Sequence, residues 1–283
     1  MTSLADTQVA PHVSRSPRLS STEMGPDGTS GLPVKSLLLA AVASIAIWWA
    51  STAILIFFNF IPSARPFVFI FSLAMASASV YWLLKNKHNE TVGGAYMAFT
   101  TGLLLWAFVE SSFYTGYIVG IDPNVTEPVP PSWTSFTLAV QSSIFHELLV
   151  LALGLSALYL MRDATNRFGL YIFLIFWFFH QSAKLNVFFG VTNTGSHFLP
   201  ETVAGLQPFM HTQPMNFLFP FSVTINTIVG WHLLRRGFAK NEVPWRQVGY
   251  VLVGTMAALA AAEHWFLVLP LEGTLWDISL HGH

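Results

Sequence analysis

The sequence predicts an all-α polytopic integral membrane protein of about seven transmembrane helices, with its N-terminus in the cytoplasm and its C-terminus outside. Three observations predict this: too few charges for a soluble surface, a series of apolar runs about twenty residues long, and a one-sided distribution of Lys and Arg. Of 283 residues, 53% are hydrophobic and only 10% charged, and mean hydropathy is +0.54. A soluble domain typically carries about 25% charged residues. This excludes a soluble globular enzyme and a disordered chain. A net charge of −1 leaves no cationic excess for nucleic acid. The absence of Cys excludes disulfides, thiolate metal sites and cysteine nucleophiles.

The elements follow in order. Residues 1–33 are rich in Ser, Thr, Pro and Gly without apolar periodicity, and are expected to be a disordered cytoplasmic tail. The first apolar run starts too late and is too long for the apolar core of a signal peptide. A helix of roughly 20 apolar residues crosses a bilayer. Seven runs qualify: 36–61, 67–84, 91–119, 135–161, 169–189, 215–234 and 248–269. They define a membrane domain over 34–270, followed by a short outer tail over 271–283. Pro62 and Pro66 punctuate the first connection. Pro123, Pro128, Pro130 and Pro131 punctuate the third, and Pro244 precedes the last span. Barrel strands would be about ten residues long with strict alternation; these runs are continuous and twice that length.

Topology follows from the basic residues. Arg15, Arg18 and Lys35 precede the first span. Lys85 and Lys87 follow the second, and Arg162 and Arg167 follow the fourth. Arg235, Arg236, Lys240 and Arg246 lie between the sixth and seventh. All eleven fall on one side, Arg65 alone on the other, and Lys184 inside a span. The positive-inside rule makes the crowded side cytoplasmic.

Charged groups at mid-bilayer cost several kcal/mol unless paired or wetted. The spans nevertheless contain Glu110, His146, Glu147, His180, Lys184, Asn186, Asn216, Asn226, His232, Glu263 and His264. At 1.5 Å per residue, Lys184 lies roughly 8 Å from the outer end of its span and Glu263 about 9 Å from the end of its own. Glu110 and Glu147 lie deeper, roughly 14 and 18 Å. Matching depths pair Lys184 with Glu263 or Glu110. His180 and Lys184 share a helix face, with Gln181 beside them. Two readings stand: hydrogen-bonded glue within a bundle, or a functional cavity for a headgroup, a metal or a pigment substituent. Adjacent His-Glu pairs point about 100° apart on a helix, and histidine boxes are absent, so no metal site is assigned. His180 and His232 are candidates for axial ligation of a bacteriochlorophyll magnesium, and catalytic residues are not assigned. Gly93-Gly94 and Thr101-Gly102 read as close helix contacts.

The connection after the fifth span carries no Lys or Arg and is apolar, with a short interfacial helix expected near 201–209. The segments SAKLNVFFGVTN, HFLPETVAGLQPF and MNFLFPFSVT, with FHELLVLALGLSALYL before them, carry a resemblance. Over about residues 140–235 the chain resembles the purple-bacterial family of photosynthetic complex assembly proteins known as PuhE. The matched positions include His146, Glu147, Asn193, Phe198, Leu199, Pro200, Asn216 and Pro220; the chain departs from the family pattern at Ser196-His197, where acidic residues would be expected. The resemblance implies a multi-pass protein of the bacterial inner, intracytoplasmic membrane with a periplasmic C-terminus. It implies an assembly factor for the reaction centre and light-harvesting complexes that handles bacteriochlorophyll or partner apoproteins in the bilayer. Its partners would be lipid and the photosynthetic polypeptides, not nucleic acid. A stoichiometric accessory subunit, or a membrane enzyme or transporter using the buried Glu, His and Lys groups, remain the alternatives.

Overall fold

A computed structural model of the chain describes residues 31–59 and 61–269. The tails expected over 1–33 and 271–283 fall almost wholly outside these residues. Within them the fold is all-helical, and the one bridge, Val191 to Thr212, belongs to no strand. The helices are α1 (Val34–Asn59), α2 (Arg65–Asn86), α3 (Val92–Tyr114), α4 (Trp133–Ser142), α5 (Ile144–Leu160), α6 (Phe168–Phe189), α7 (Phe219–Gly237) and α8 (Pro244–Phe266). The expected interfacial helix is present as a 3-10 segment, Glu201–Phe209. Prolines sit in the first turns of α2, α7 and α8, where a missing amide hydrogen costs no helix bond. Thr91 caps α3 by accepting from the Gly94 amide at 3.0 Å.

α8 is the centre of the bundle. It is buried along almost its whole length and packs against α1, α3, α6 and α7. Phe99, Phe168, Ile172, Trp245, Val251 and Met256 form the core around it. α3 and α6 cross at Gly102 and Gly169. A Cβ on Gly102 would stand 2.2 Å from the Gly169 carbonyl oxygen, so the expected close contact at Thr101-Gly102 is real and needs glycine. α1 and α2 instead carry long exposed apolar faces, among them Leu38, Leu39, Val42, Phe67, Ile70 and Phe71.

Among the described residues four helices are long and apolar enough to cross a membrane (α1, α2 with its preceding turn, α3 and α6), and a fifth span results if the bent pair α4 and α5 is counted as one. α7 and α8 are about 28 and 34 Å long, and α8 can be more polar because most of it faces protein.

The loops meet at two opposite ends. At one end the Thr165 and Asn166 amides donate to the Lys87 carbonyl at 3.1 and 3.0 Å, joining the α2–α3 and α5–α6 turns. There too the Leu32 amide donates to Gln247 Oε1 (2.7 Å), and Gln247 Nε2 donates to the Ala239 carbonyl (2.9 Å), joining the start of α1 to the α7–α8 turn. At the other end the Val129 amide donates to the Pro208 carbonyl (3.1 Å) and Thr202 Oγ1 to the Tyr114 carbonyl (2.8 Å). Arg65 pairs with Glu201 at 3.2 Å, and the Asn193 amide reaches the Leu267 carbonyl at 2.9 Å. The first end holds every described basic residue except Arg65 and Lys184. Its cations lie over aromatic rings: Lys85 over Trp82, Arg162 over Tyr159, Arg236 over Tyr250 and Arg246 over Trp245.

The continuous helix expected over 135–161 is broken. α4 and α5 meet at Ser143 with a 73° bend. The peptide groups opened there are satisfied by the preceding loop: the His146 amide donates to the Val119 carbonyl and the Ile121 amide to the Gln141 carbonyl, both at 2.9 Å. Gly120 lies between those partners, and a Cβ on it would be 2.4 Å from the Ser142 carbonyl carbon and oxygen.

Two predictions follow from these contacts. Gly120→Ala forces backbone apart and is expected to lower thermal stability by at least about 1–3 kcal/mol, whereas Gly93→Ala, whose Cβ would meet nothing closer than 3.9 Å, does not. Melting of the two purified variants checks this. Lys87 Nζ bonds both Asp163 oxygens at 2.8 and 2.7 Å, and this hydrogen bond holds the Asp163 carboxyl below its usual range. A depressed carboxylate stabilises the folded state above its unfolded pKa of about 3.9 and loses that contribution as pH falls through the folded value. Amide exchange at Thr165 and Asn166 should therefore be unchanged between pH 5 and 7 once corrected for intrinsic rate, and protection should fall only below about pH 4.

Candidate functional site

The polar residues of α3, α5 and α6 converge in a seam. α6 presents His180, Gln181 and Lys184 at spacings that align on one face. α5 contributes His146 and Glu147 from its first turn, and α3 contributes Glu110. Lys184 Nζ lies 2.7 Å from Glu147 Oε1, and Gln181 Nε2 donates to Glu147 Oε2 at 2.5 Å. The Lys184 ammonium also sits 5.3 Å from the centre of the Phe113 ring. His180 Nδ1 is 3.2 Å from Glu110 Oε1, within ion-pair distance though not aligned as a hydrogen bond.

The partner of Lys184 is therefore Glu147, not the expected Glu263 or Glu110. The depth ruler failed because it treated 135–161 as one straight helix. With the break at Ser143, Glu147 stands three residues into α5, roughly 5 Å from that helix's start rather than 18 Å.

His146 is fully buried, and neither of its ring nitrogens has a hydrogen-bond partner. Its ring packs 4.5 Å from Phe113 and 5.7 Å from His180. His180 is wedged between that ring and Trp106, 5.5 Å away, with its Nε2 buried and unbonded. His146 is fully enclosed, whereas the His180 side chain keeps 20% of its surface exposed. His232 is exposed on α7. Among the described residues no three His, Asp or Glu side chains are placed to hold a metal ion.

Glu263 and His264 belong to a second set. Glu263 accepts from Trp48 Nε1 of α1 at 3.2 Å. His264 meets Ser182 Oγ of α6 at 3.0 Å and the Ala260 carbonyl at 2.8 Å. Asn186 donates to Ser222 Oγ of α7 at 2.9 Å. Asn226, one turn further along α7, is fully buried with both amide atoms unbonded.

The loop residues hold the chain in place. Asn216 Nδ2 donates to the Asn186 and Gly190 carbonyls at 2.9 and 2.8 Å, and its Oδ1 accepts from the Leu218 and Phe219 amides, fixing the start of α7. Pro220 sits in the first turn of that helix. Asn193 Nδ2 donates to the Phe266 and Leu269 carbonyls at 2.6 Å each, closing the end of α8. His197 is exposed with its ring 4.0 Å from the half-buried Phe198. Leu199 and the buried Pro200 lead into the 3-10 segment. Sequence reasoning placed Gln181 beside His180 and Lys184 without giving it a partner, and it left out Trp48, Ser182, Ser222 and His211. His211 sits between two carbonyls, that of Phe188 at Nδ1 and that of Val129 at Nε2, and donates to at least one of them. No local signal marks that role.

Removing one member of a buried ion pair costs about 3–5 kcal/mol, and the half-buried Lys184–Glu147 pair approaches the lower end. Lys184→Met should therefore lower the melting temperature. Adding Glu147→Gln should restore much of it, and adding Glu263→Gln should restore none. Recovery with Glu263→Gln and not with Glu147→Gln would reassign the pair.

Comparison with known proteins gives two matches. A profile of the family described as "Protein of unknown function (DUF3623)" matches residues 34–283. A Rhodobacter capsulatus protein, named "Uncharacterized 30.4 kDa protein in puhA 5'region", is 31% identical over 257 residues, which cover 86% of this chain and 90% of the relative. No solved structure matches. With the profile spanning the whole described bundle and a relative at this identity, the chain belongs to the DUF3623 family, in agreement with the PuhE-type resemblance of its segments.

Proposed function

We propose that the protein is an assembly factor of the bacterial photosynthetic apparatus, acting within the inner membrane on reaction-centre or light-harvesting polypeptides. The observation that carries this reading is the relative, covered over 90% of its length and named for its place in the puhA 5′ region. A seven-span topology goes with it, with α4 and α5 serving as one broken span. The two-ended arrangement of loops supports it, because consecutive connections alternate between the ends. The cation–aromatic contacts at the basic end support a membrane–water interface there, with that end cytoplasmic.

The surface for partner helices lies at the opposite, periplasmic end, around the α6–α7 loop. Exposed Trp133, Phe217, Met215 and Tyr117 gather near that loop. Small photosynthetic apoproteins are single apolar helices, which such a surface would hold by aromatic packing and a few interhelical hydrogen bonds.

The test is affinity purification of the full chain from pigmented cells, with protein identification and a near-infrared spectrum of the eluate. Photosynthetic polypeptides should co-purify. His197→Ala with Phe217→Ala should reduce their recovery several-fold while the level of this protein is unchanged. An eluate free of those polypeptides and of pigment would refute the assembly reading. A phosphatase fused at Gly282 should be active, and an inactive fusion beside a fluorescent cytoplasmic one would overturn the topology.

A further inference from the structure

We infer that the basic end of the bundle holds an anionic phospholipid in a cleft between α6, α7 and α8. Its phosphate would be bound by Arg236, Arg246 and Arg167 and its acyl chain would lie against α6 and α7. Two adjoining spaces carry the inference. One is an open cleft of about 260 Å³ whose apolar walls include Leu174 and Ile175 of α6 and Val229 and Leu233 of α7. The other is a pocket of about 130 Å³ whose wall includes Arg167 and Arg246. Tyr171 and Tyr250 line both; the first space is mainly apolar, with His232 and Arg236 also in its wall, and the second is polar and carries Arg167 and Arg246. That is the division of an amphiphile.

The placement in the fold matches as well. Arg236 lies in the last turn of α7, Arg246 in the first turn of α8, and Arg167 immediately before α6. All three therefore sit where the helices end and headgroups begin. On α7 the cleft is flanked by the exposed Ile225, Ile228 and Trp231, which continue its apolar wall outward. α6 and α7 touch each other little, since each packs mainly on other helices, so the gap between them opens sideways.

Charge decides the headgroup. Among the described residues the carboxylate that meets these arginines is Glu242, at 3.2 Å from Arg236 and 3.7 Å from Arg246. Three guanidinium groups against one carboxylate leave a cationic surplus. Arg236 is oriented by the Tyr250 ring beneath it, 4.3 Å from the ring centre. Arg167 donates to the Ala164 and Arg162 carbonyls and keeps further N–H groups for an anion. Planar guanidinium forks suit phosphate oxygens, and basic pockets between helices at a cytoplasmic face are sites for acidic headgroups. A zwitterionic headgroup would bring its own cation against the surplus, so selectivity for an anionic lipid follows.

The experiment is thermal unfolding of the full chain in neutral detergent with added phosphatidylglycerol, phosphatidylcholine of the same acyl chains, or inorganic phosphate. Phosphatidylglycerol should raise the midpoint more than phosphatidylcholine, because a ligand bound only to the folded state stabilises it, and phosphate alone should not reproduce the shift. Arg236→Gln with Arg246→Gln should raise the phosphatidylglycerol concentration for half-maximal shift by about tenfold or more, the loss of charged hydrogen bonds. Val229→Trp, which fills the apolar cleft and leaves the arginines intact, should weaken it likewise and keeps the test valid should the arginine variant not accumulate. Equal shifts from the two lipids, an unaltered response in a folded variant, or a full shift from phosphate alone would overturn the inference.

Discussion

Backbone groups inside an apolar bundle have no water to turn to, and the break at Ser143 is where this constraint is felt most. A 73° bend opens helix hydrogen bonds at the buried Ser142 and Ser143, where an unsatisfied backbone group costs about 1–3 kcal/mol. The chain answers with its own backbone, the Val119 carbonyl and the Ile121 amide, brought in on either side of Gly120, which has no side chain to hold them off. The positions of α4, of the 115–132 loop and of the first turn of α5 all follow from that exchange. So does the polar seam: α5 begins at the bend, which sets Glu147 opposite Lys184 and buries His146 against Phe113.

The same constraint explains the division of labour among the helices. α1 and α2 meet their surroundings with apolar faces, and their polar content is low. α8 is enclosed by protein, so its Gln247, Glu263 and His264 can be spent on neighbours: Leu32, Trp48 and Ser182. Hydropathy consequently ranks the most buried helix below α1 and α2, although of the described helices only α1 is longer. α6 links the two polar sets, using His180, Gln181 and Lys184 toward α3 and α5, and Ser182 and Asn186 toward α8 and α7.

Much of this was legible in the residues. The prolines mark the helix starts, the 3-10 segment falls on Glu201–Phe209 as its sequence suggests, and Gly102 sits at a close crossing. The break was not legible. Residues 141–144 are Gln, Ser, Ser and Ile, without the proline or glycine that usually signals a kink, and its cause lies about twenty residues upstream in a loop. The error in pairing Lys184 follows from that one omission, because depth along a helix is meaningful only if the helix is straight. The roles of Asn193, Asn216 and His211 as ties between distant carbonyls were likewise invisible, since each depends on where a remote helix happens to end.

The most direct test of this account is the distance between spin labels at positions 133 and 160, which the absence of any native Cys makes simple to introduce as a cysteine pair. A straight helix from 133 to 160 would hold the backbone positions about 40 Å apart. The bend at Ser143 brings them to about 33 Å by the same rise per residue. A distribution centred near the shorter distance supports the account; one centred near the longer would mean an unbroken span, and Glu147 could not then stand at the start of a helix facing Lys184.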